Sequence, residues 1–143
     1  IMKKNLKVDV AHYSCIKNTI IKDYAENAFL ELFKAGLTYG FYSPPSKDHN
    51  AIVAYVNNNP VGIMTWDVMK DSTTISVYLG YVSKEYRKNK IYKKLWNELL
   101  IKAKEQNCTA IDGNTSIKNS IMQKTMKKLK RIPYAIMYRY NIK

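Results

Sequence analysis

Apolar and polar positions along this chain repeat with two periods, and each change of period marks a new element. Residues 3–10 (KKNLKVDV) alternate and predict a short first strand. Ser14 then stands where it can cap a helix whose apolar positions are Ile16, Ile20, Tyr24, Phe29, Leu32 and Phe33, ending before Gly36, as one long helix or two short ones. Gly36 to Asn50 (GLTYGFYSPPSKDHN) crowds glycines, prolines and rings into a stretch with neither period, which predicts a loop with exposed aromatic side chains. Ala51–Val56, the turn Asn57 to Pro60, and Val61–Val68 read as a hairpin, and Thr73–Val82 extends it to a three-stranded meander. The period becomes helical over Lys88–Gln106, with Ile91, Leu95, Leu99 and Ala103 in one stripe. Thr109–Thr115 predicts a short strand, and Asn119–Lys130 a helix with a buried stripe of Met122, Met126 and Leu129. Ile132–Ile142 (IPYAIMYRYNI) predicts a closing strand. This order describes an α/β (α+β) fold: one domain with a mixed, mostly antiparallel sheet and helices on both faces.

Composition narrows the classes. The 143 residues, 46% apolar and 24% charged, suit a single core that needs no staples. Ile1, ahead of Met2, reads as an addition made for expression, so the expected domain is 2–143. With no run of 18 apolar residues and no apolar leader, the expectation is a cytoplasmic protein without a membrane partner. Cys15 and Cys108 lack CxxC spacing, and His12 and His49 are the only histidines, so neither disulfides nor a metal site is expected. The net charge of +13 points to an anionic partner. It is uneven: after Asp112 come Lys118, Lys124, Lys127, Lys128, Lys130, Arg131, Arg139 and Lys143 with no acidic residue. Nucleic acid, an anionic membrane surface and a polyphosphate cofactor all fit such a field, as does plain solubility.

The strand ending at Tyr81-Val82, the basic turn Ser83 to Arg87 and the helix opening at Lys88 set a helix N-terminus at a sheet end. Backbone N–H groups there are unpaired and carry roughly half a positive charge, and Arg87, Lys88 and Lys90 add side-chain charge. Cations at a helix N-terminus are unfavourable unless an anion is bound, so this junction reads as an anion site rather than a solvated basic turn.

The stretch Val82 to Leu95 (VSKEYRKNKIYKKL) resembles the signature of the GNAT superfamily of acetyl-CoA-dependent N-acyltransferases, in which Arg/Gln-x-x-Gly-x-Gly/Ala opens the central helix. The hairpin AIVAYVNNNPVGIMTW and the Asn119-Ser120-Ile121-Met122 helix start extend the likeness from about Asn50 to Ile142. The resemblance implies acetyl-CoA as cofactor and transfer of its acetyl group to an amine. Pantetheine would lie along Tyr81 and Val82, the pyrophosphate on Arg87, Lys88, Asn89, Lys90, Ile91, Tyr92 and Lys93, and Asn119 would approach the thioester. Lys90 and Tyr92 replace the family's glycine and glycine or alanine; Met126 replaces its usual acid, a tyrosine, and Lys130-Arg131 its Gly-Phe. Ser76 and Asn114 stand where a carboxylate base is common. Asp67 is the candidate base, acting through water, with an ordinary surface aspartate as the alternative. Tyr134 is the candidate acid, and Tyr39, Phe41 and Tyr42 are candidate walls of the acceptor pocket. The rival function is a catalytically weakened module of the same fold that binds nucleic acid through its basic C-terminal third, with Tyr138 and Tyr140 interleaved. Acceptor and oligomeric state are not readable.

Overall fold

The structure, a computed structural model, describes residues 5–38, 42–70 and 72–142. Strands β1 (Asp9–Tyr13), β2 (Asn50–Val56), β3 (Asn59–Val68), β4 (Thr74–Val82) and β5 (Ala110–Gly113) form one sheet in the order β1-β2-β3-β4-β5. The pairs are antiparallel up to β4, and β4 and β5 are parallel. Helices α1 (Thr19–Lys34), α2 (Ile91–Glu105) and α3 (Ser120–Lys128) flank the sheet. The mixed α/β architecture is therefore the one its pattern predicts.

The core has two layers. On one face Ile21, Ala25, Ala28 and Phe29 of α1 cover Ala51, Val53, Ile63, Leu79 and Tyr81. On the other, Ile91, Leu95, Trp96, Leu99 and Ala103 of α2 cover Ile52, Ala54, Met64, Trp66 and Ile75. Because both faces are covered, β3 is buried from Val61 through Trp66 without a break, as a two-sided central strand must be. The β2–β3 connection is tighter than Asn57 to Pro60. Asn57 and Asn58, at φ 49° and 62°, make a two-residue turn of the hairpin type, and Pro60 already pairs with Tyr55.

Several expectations are corrected, beginning with the first strand, which runs over Asp9–Tyr13, past its expected end at Val10. The first helix starts at Thr19, capped by Asn18 rather than Ser14: Asn18 Oδ1 accepts from Ile20 N–H at 3.0 Å. Ile16 is fully buried ahead of it, and its N–H donates to Lys47 C=O at 3.0 Å, which holds this segment out of the helix. Ile20, predicted on the apolar stripe, is 68% exposed. α2 starts at Ile91 rather than Lys88, since Lys88 and Lys90 have φ 63° and 60°. The closing strand over Ile132–Ile142 does not form. Beyond Arg131 the described residues are exposed and join no ladder, and alternation without a neighbouring strand makes no strand. The α3 stripe of Met122, Met126 and Leu129 is only half-buried.

Candidate functional site

β4 leads into a 3₁₀ turn at Lys84–Tyr86 and then Arg87 to Lys90 before α2. Local bonds brace this turn. Arg87 Nε donates to Val82 C=O at 2.8 Å, and its guanidinium pairs with Glu31 at 3.2 Å. Glu31 also accepts from the Tyr81 hydroxyl, whose pKa is raised by burial and by that bond. Asn89 Nδ2 donates to the carbonyls of Tyr86 and Arg87 at 3.1 and 2.9 Å. Tyr24 and Ser83 hydroxyls meet at 2.6 Å, and burial pushes the Tyr24 phenol up to about 12.

Two left-handed lysines give the turn its shape. Each non-glycine residue in that region costs about 1–2 kcal/mol, and Lys88 and Lys90 adopt it one residue apart. Such alternation folds successive N–H groups into an anion-binding concavity. The first α2 bond at this end runs from Lys94 N–H to Lys90 C=O, so the amides of Ile91, Tyr92 and Lys93 precede the helical ladder. Lys88, Lys90 and Lys93 are exposed, whereas the Ile91 side chain is buried in the core below.

A cleft of about 290 Å³ opens beside this junction. β5 pairs with β4 only as far as Val77 and Gly113. Just beyond, Tyr78 is the extra residue of a bulge: Thr65 pairs with Leu79 and Trp66 with Val77. Bulges re-aim side chains beside functional sites. Tyr78 lines the cleft, stacked on His49 with centroids 3.9 Å apart. Ser46 N–H donates to His49 Nδ1 at 3.1 Å, so the neutral ring carries its proton on Nε2. Burial lowers the His49 pKa against the opposing pull of Asp67 and Asp48.

Tyr92 descends from the first turn of α2 against Gly80, where a Cβ would lie 3.0 Å from its hydroxyl. Arg131 brings its positive charge to that hydroxyl, covers the Trp96 ring at 4.5 Å and lies 2.7 Å from where a Gly113 Cβ would sit. These two glycines admit the pair into the splay between β4 and β5. Burial raises the Tyr92 pKa although Arg131 lowers it.

The candidates taken from the sequence divide between the junction, the cleft and places remote from both. Tyr92, Asn119, Ser76, Asn114 and Met126 line the cleft. Asn119 Oδ1 accepts from Met122 N–H at 3.1 Å and so caps α3. Asp67 is not among the lining residues; its Oδ1 accepts from its neighbour Val68 N–H at 2.8 Å and from Asn50 at 3.4 Å. Tyr134 is 85% exposed on the segment that forms no strand and does not line the cleft. Tyr42 packs edge-on against Phe29 and Phe33, outside the lining, and Tyr39 and Phe41 lie outside the described residues. Sequence reading missed His49, Tyr78 and Arg131. A histidine next to the Pro-rich loop was the one available signal, since neither the bulge nor the return of Arg131 onto Trp96 has a local signature.

The family model described as Acetyltransferase (GNAT) family matches residues 19–129, which take in the junction, α3 and all of the cleft lining except Arg131. The chain belongs to the GNAT acetyltransferase family. No curated protein matches the sequence. Among solved structures, aminoglycoside acetyltransferase HMB0005 from an uncultured soil metagenomic sample is 17% identical with a TM-score of 0.72, covering 96% of this chain and 100% of that one. Aminoglycoside N-acetyltransferase AAC(6')-Iy in complex with CoA is 15% identical with a TM-score of 0.68, covering 99% and 100%. Ribosomal-protein-alanine N-acetyltransferase from Brucella melitensis biovar Abortus 2308 is 21% identical with a TM-score of 0.65, covering 96% and 99%. At these identities the likeness shows the shared GNAT fold. Where the GNAT signature has its first glycine this chain has Lys90, and the backbone there keeps the left-handed conformation that glycine adopts freely.

Proposed function

We propose that the protein is an acetyl-CoA-dependent N-acetyltransferase that acetylates an amine. The observation carrying this reading is the left-handed Lys88 and Lys90 pair, which turns the amides at the start of α2 into an anion cradle beside the β4–β5 splay. Lysine in a strained conformation persists where the surroundings over-determine it, and such strain clusters at binding sites. The residues present fit a pyrophosphate: the amides of Ile91, Tyr92 and Lys93, with Lys88, Lys90 and Lys93 around them, would hold it, while Asn89 and the Arg87–Glu31 pair keep the turn in shape. The β4 edge at Tyr81 and Val82 is the backbone beside which the pantetheine arm would run. Asn119, capping α3, would face its far end. Acetyl-CoA, when bound, supplies an activated thioester.

The chain's own groups then have limited proton chemistry. His49, with Nδ1 occupied by Ser46 N–H, offers a donor at Nε2 and no free lone pair, so it is not the base. The amine therefore loses its proton to solvent and enters as the free base. Tyr92 Oη stays protonated well above neutral pH and takes the donor role suggested by sequence for Tyr134.

Calorimetry with acetyl-CoA tests the cofactor half. Lys88→Glu with Lys90→Glu is expected to weaken binding at least about tenfold, or roughly 1.4 kcal/mol, and unchanged affinity removes the cradle from the reading. Tyr92→Phe is expected to lower turnover about 10²-fold, and a rate equal to that of the unaltered protein takes Tyr92 out of the acid role.

A further inference from the structure

Every titratable side chain that lines the cleft among the described residues is His49, Tyr78, Tyr92 or Arg131; no carboxylate lines it. Of the acidic residues around it, Glu31 is held by Arg87 and the Tyr81 hydroxyl and Asp67 by Val68 N–H and Asn50, while Asp48 and Asp112 adjoin lining residues without themselves lining the cleft. Asp67 and Asp48 pull the His49 pKa up, yet burial outweighs both, so that ring is kept from carrying charge, and the Arg131 guanidinium on the same lining repels a further cation. The net charge of +13 adds to this at longer range. An ammonium group brought into such a cleft would be desolvated without a counter-charge. One amine can escape by shedding its proton before reaction. A second or third ammonium on the same molecule has neither a partner nor a reason to deprotonate.

The walls point the same way. Phe29, Leu32, Leu37 and Leu79 line the cleft, and Tyr78 offers a ring covered on one face by His49 yet still 47% exposed. A flat ring beside a flat apolar body gains both burial and stacking. The volume of about 290 Å³, part of it alongside Gly80, Tyr92 and Asn119 where the donor would lie, encloses only a small acceptor group.

We infer that the acceptor is a small primary monoamine on an aromatic body, an arylalkylamine, and that this cleft rejects polycationic amines such as the aminoglycosides. The inference rests on the acetyl-transfer reading above. Its test uses the full chain with phenethylamine, putrescine and tobramycin as probes, following thiol release with acetyl-CoA and, separately, binding of each amine by equilibrium dialysis without any acyl donor. The expected kcat/KM for phenethylamine is at least tenfold above those for putrescine and tobramycin, with the same order in dialysis. Tyr78→Ala is expected to lower phenethylamine binding several-fold. Asn114→Asp, a nearly isosteric change that puts a carboxylate on the cleft wall, is expected to narrow the gap to putrescine. Equal or better use of tobramycin or putrescine overturns the inference, as does failure of phenethylamine to bind at millimolar concentration. If dialysis shows the expected order but no amine is acetylated, the acyl-transfer reading fails while the acceptor preference stands.

Discussion

The start of α2 and the end of α3 each carry a lysine in the left-handed region, and their surroundings differ. Lys90 opens α2 beside Ile91 and Leu95, both buried in the core, and Lys88 two positions earlier shares its left-handed backbone. Lys130 closes α3: its N–H donates to Lys127 C=O at 3.0 Å and Arg131 N–H to Met126 C=O at 2.9 Å, the two bonds of a Schellman ending. Glycine is the usual residue in both conformations. At the first junction the strain shapes the backbone where the pyrophosphate is proposed to sit. At the second it turns Arg131 back over Trp96 and Tyr92, after which the chain runs on with Ile132, Tyr134 and Ile136 78–85% exposed. The same backbone device thus ends one helix and begins another, with different surroundings at each.

The largest expected effect tests how differently the two junctions are anchored. Leu95→Ala, at a fully buried position under the first, is expected to cost about 2–5 kcal/mol in urea unfolding. Ile132→Ala, 81% exposed beyond the second, is expected to stay within about 0.5 kcal/mol. A large loss at Ile132 would mean that the C-terminal segment docks on something, and the contrast would be broken.

A smaller effect isolates what the junctions share. Lys90→Gly and Lys130→Gly each relieve left-handed strain and add some unfolded-state entropy, for a net gain of about 0.5–1 kcal/mol apiece. Matching gains in thermal melts would show that local backbone sets both; a gain at Lys130 alone would show that the Lys90 side chain contributes something glycine cannot replace.

The smallest effect lies in the cleft between them. The folded His49 pKa is depressed below its ordinary 6.5, so its share of stability is complete above about that pH and fades as pH falls through the lower folded value. Protonation there also displaces the Ser46 N–H bond at Nδ1. Denaturation between pH 7.5 and 5 is expected to show a shallow acid loss that His49→Gln removes. An identical slope in that variant would assign the loss to other groups.

Much of this organisation is visible in residue order. The hairpin, the third meander strand and α2 follow from period and turn chemistry, because each buries a continuous or striped set of side chains whose spacing is local. The junction too was legible, since a basic turn between a strand and a helix is a local pattern. Element starts were less so: Ser14 and Lys88 have the right chemistry for a helix start, yet Ile16 is pulled into the core and Lys88 and Lys90 turn left-handed.

By itself the sequence determined the antiparallel meander, the apolar stripe of α2 and the basic strand-to-helix junction, all of which rest on spacings between near neighbours in the chain. Only the tertiary structure decided which side chains meet in the cleft. His49 reaches Tyr78 across 29 positions and Arg131 reaches Tyr92 across 39, and both meetings depend on a β-bulge and two glycines that remove a clash rather than create a pattern. The alternation of Ile132–Ile142 was equally plain in the sequence, but a strand is completed by its neighbour's hydrogen bonds, and the fold supplies no neighbour there among the described residues.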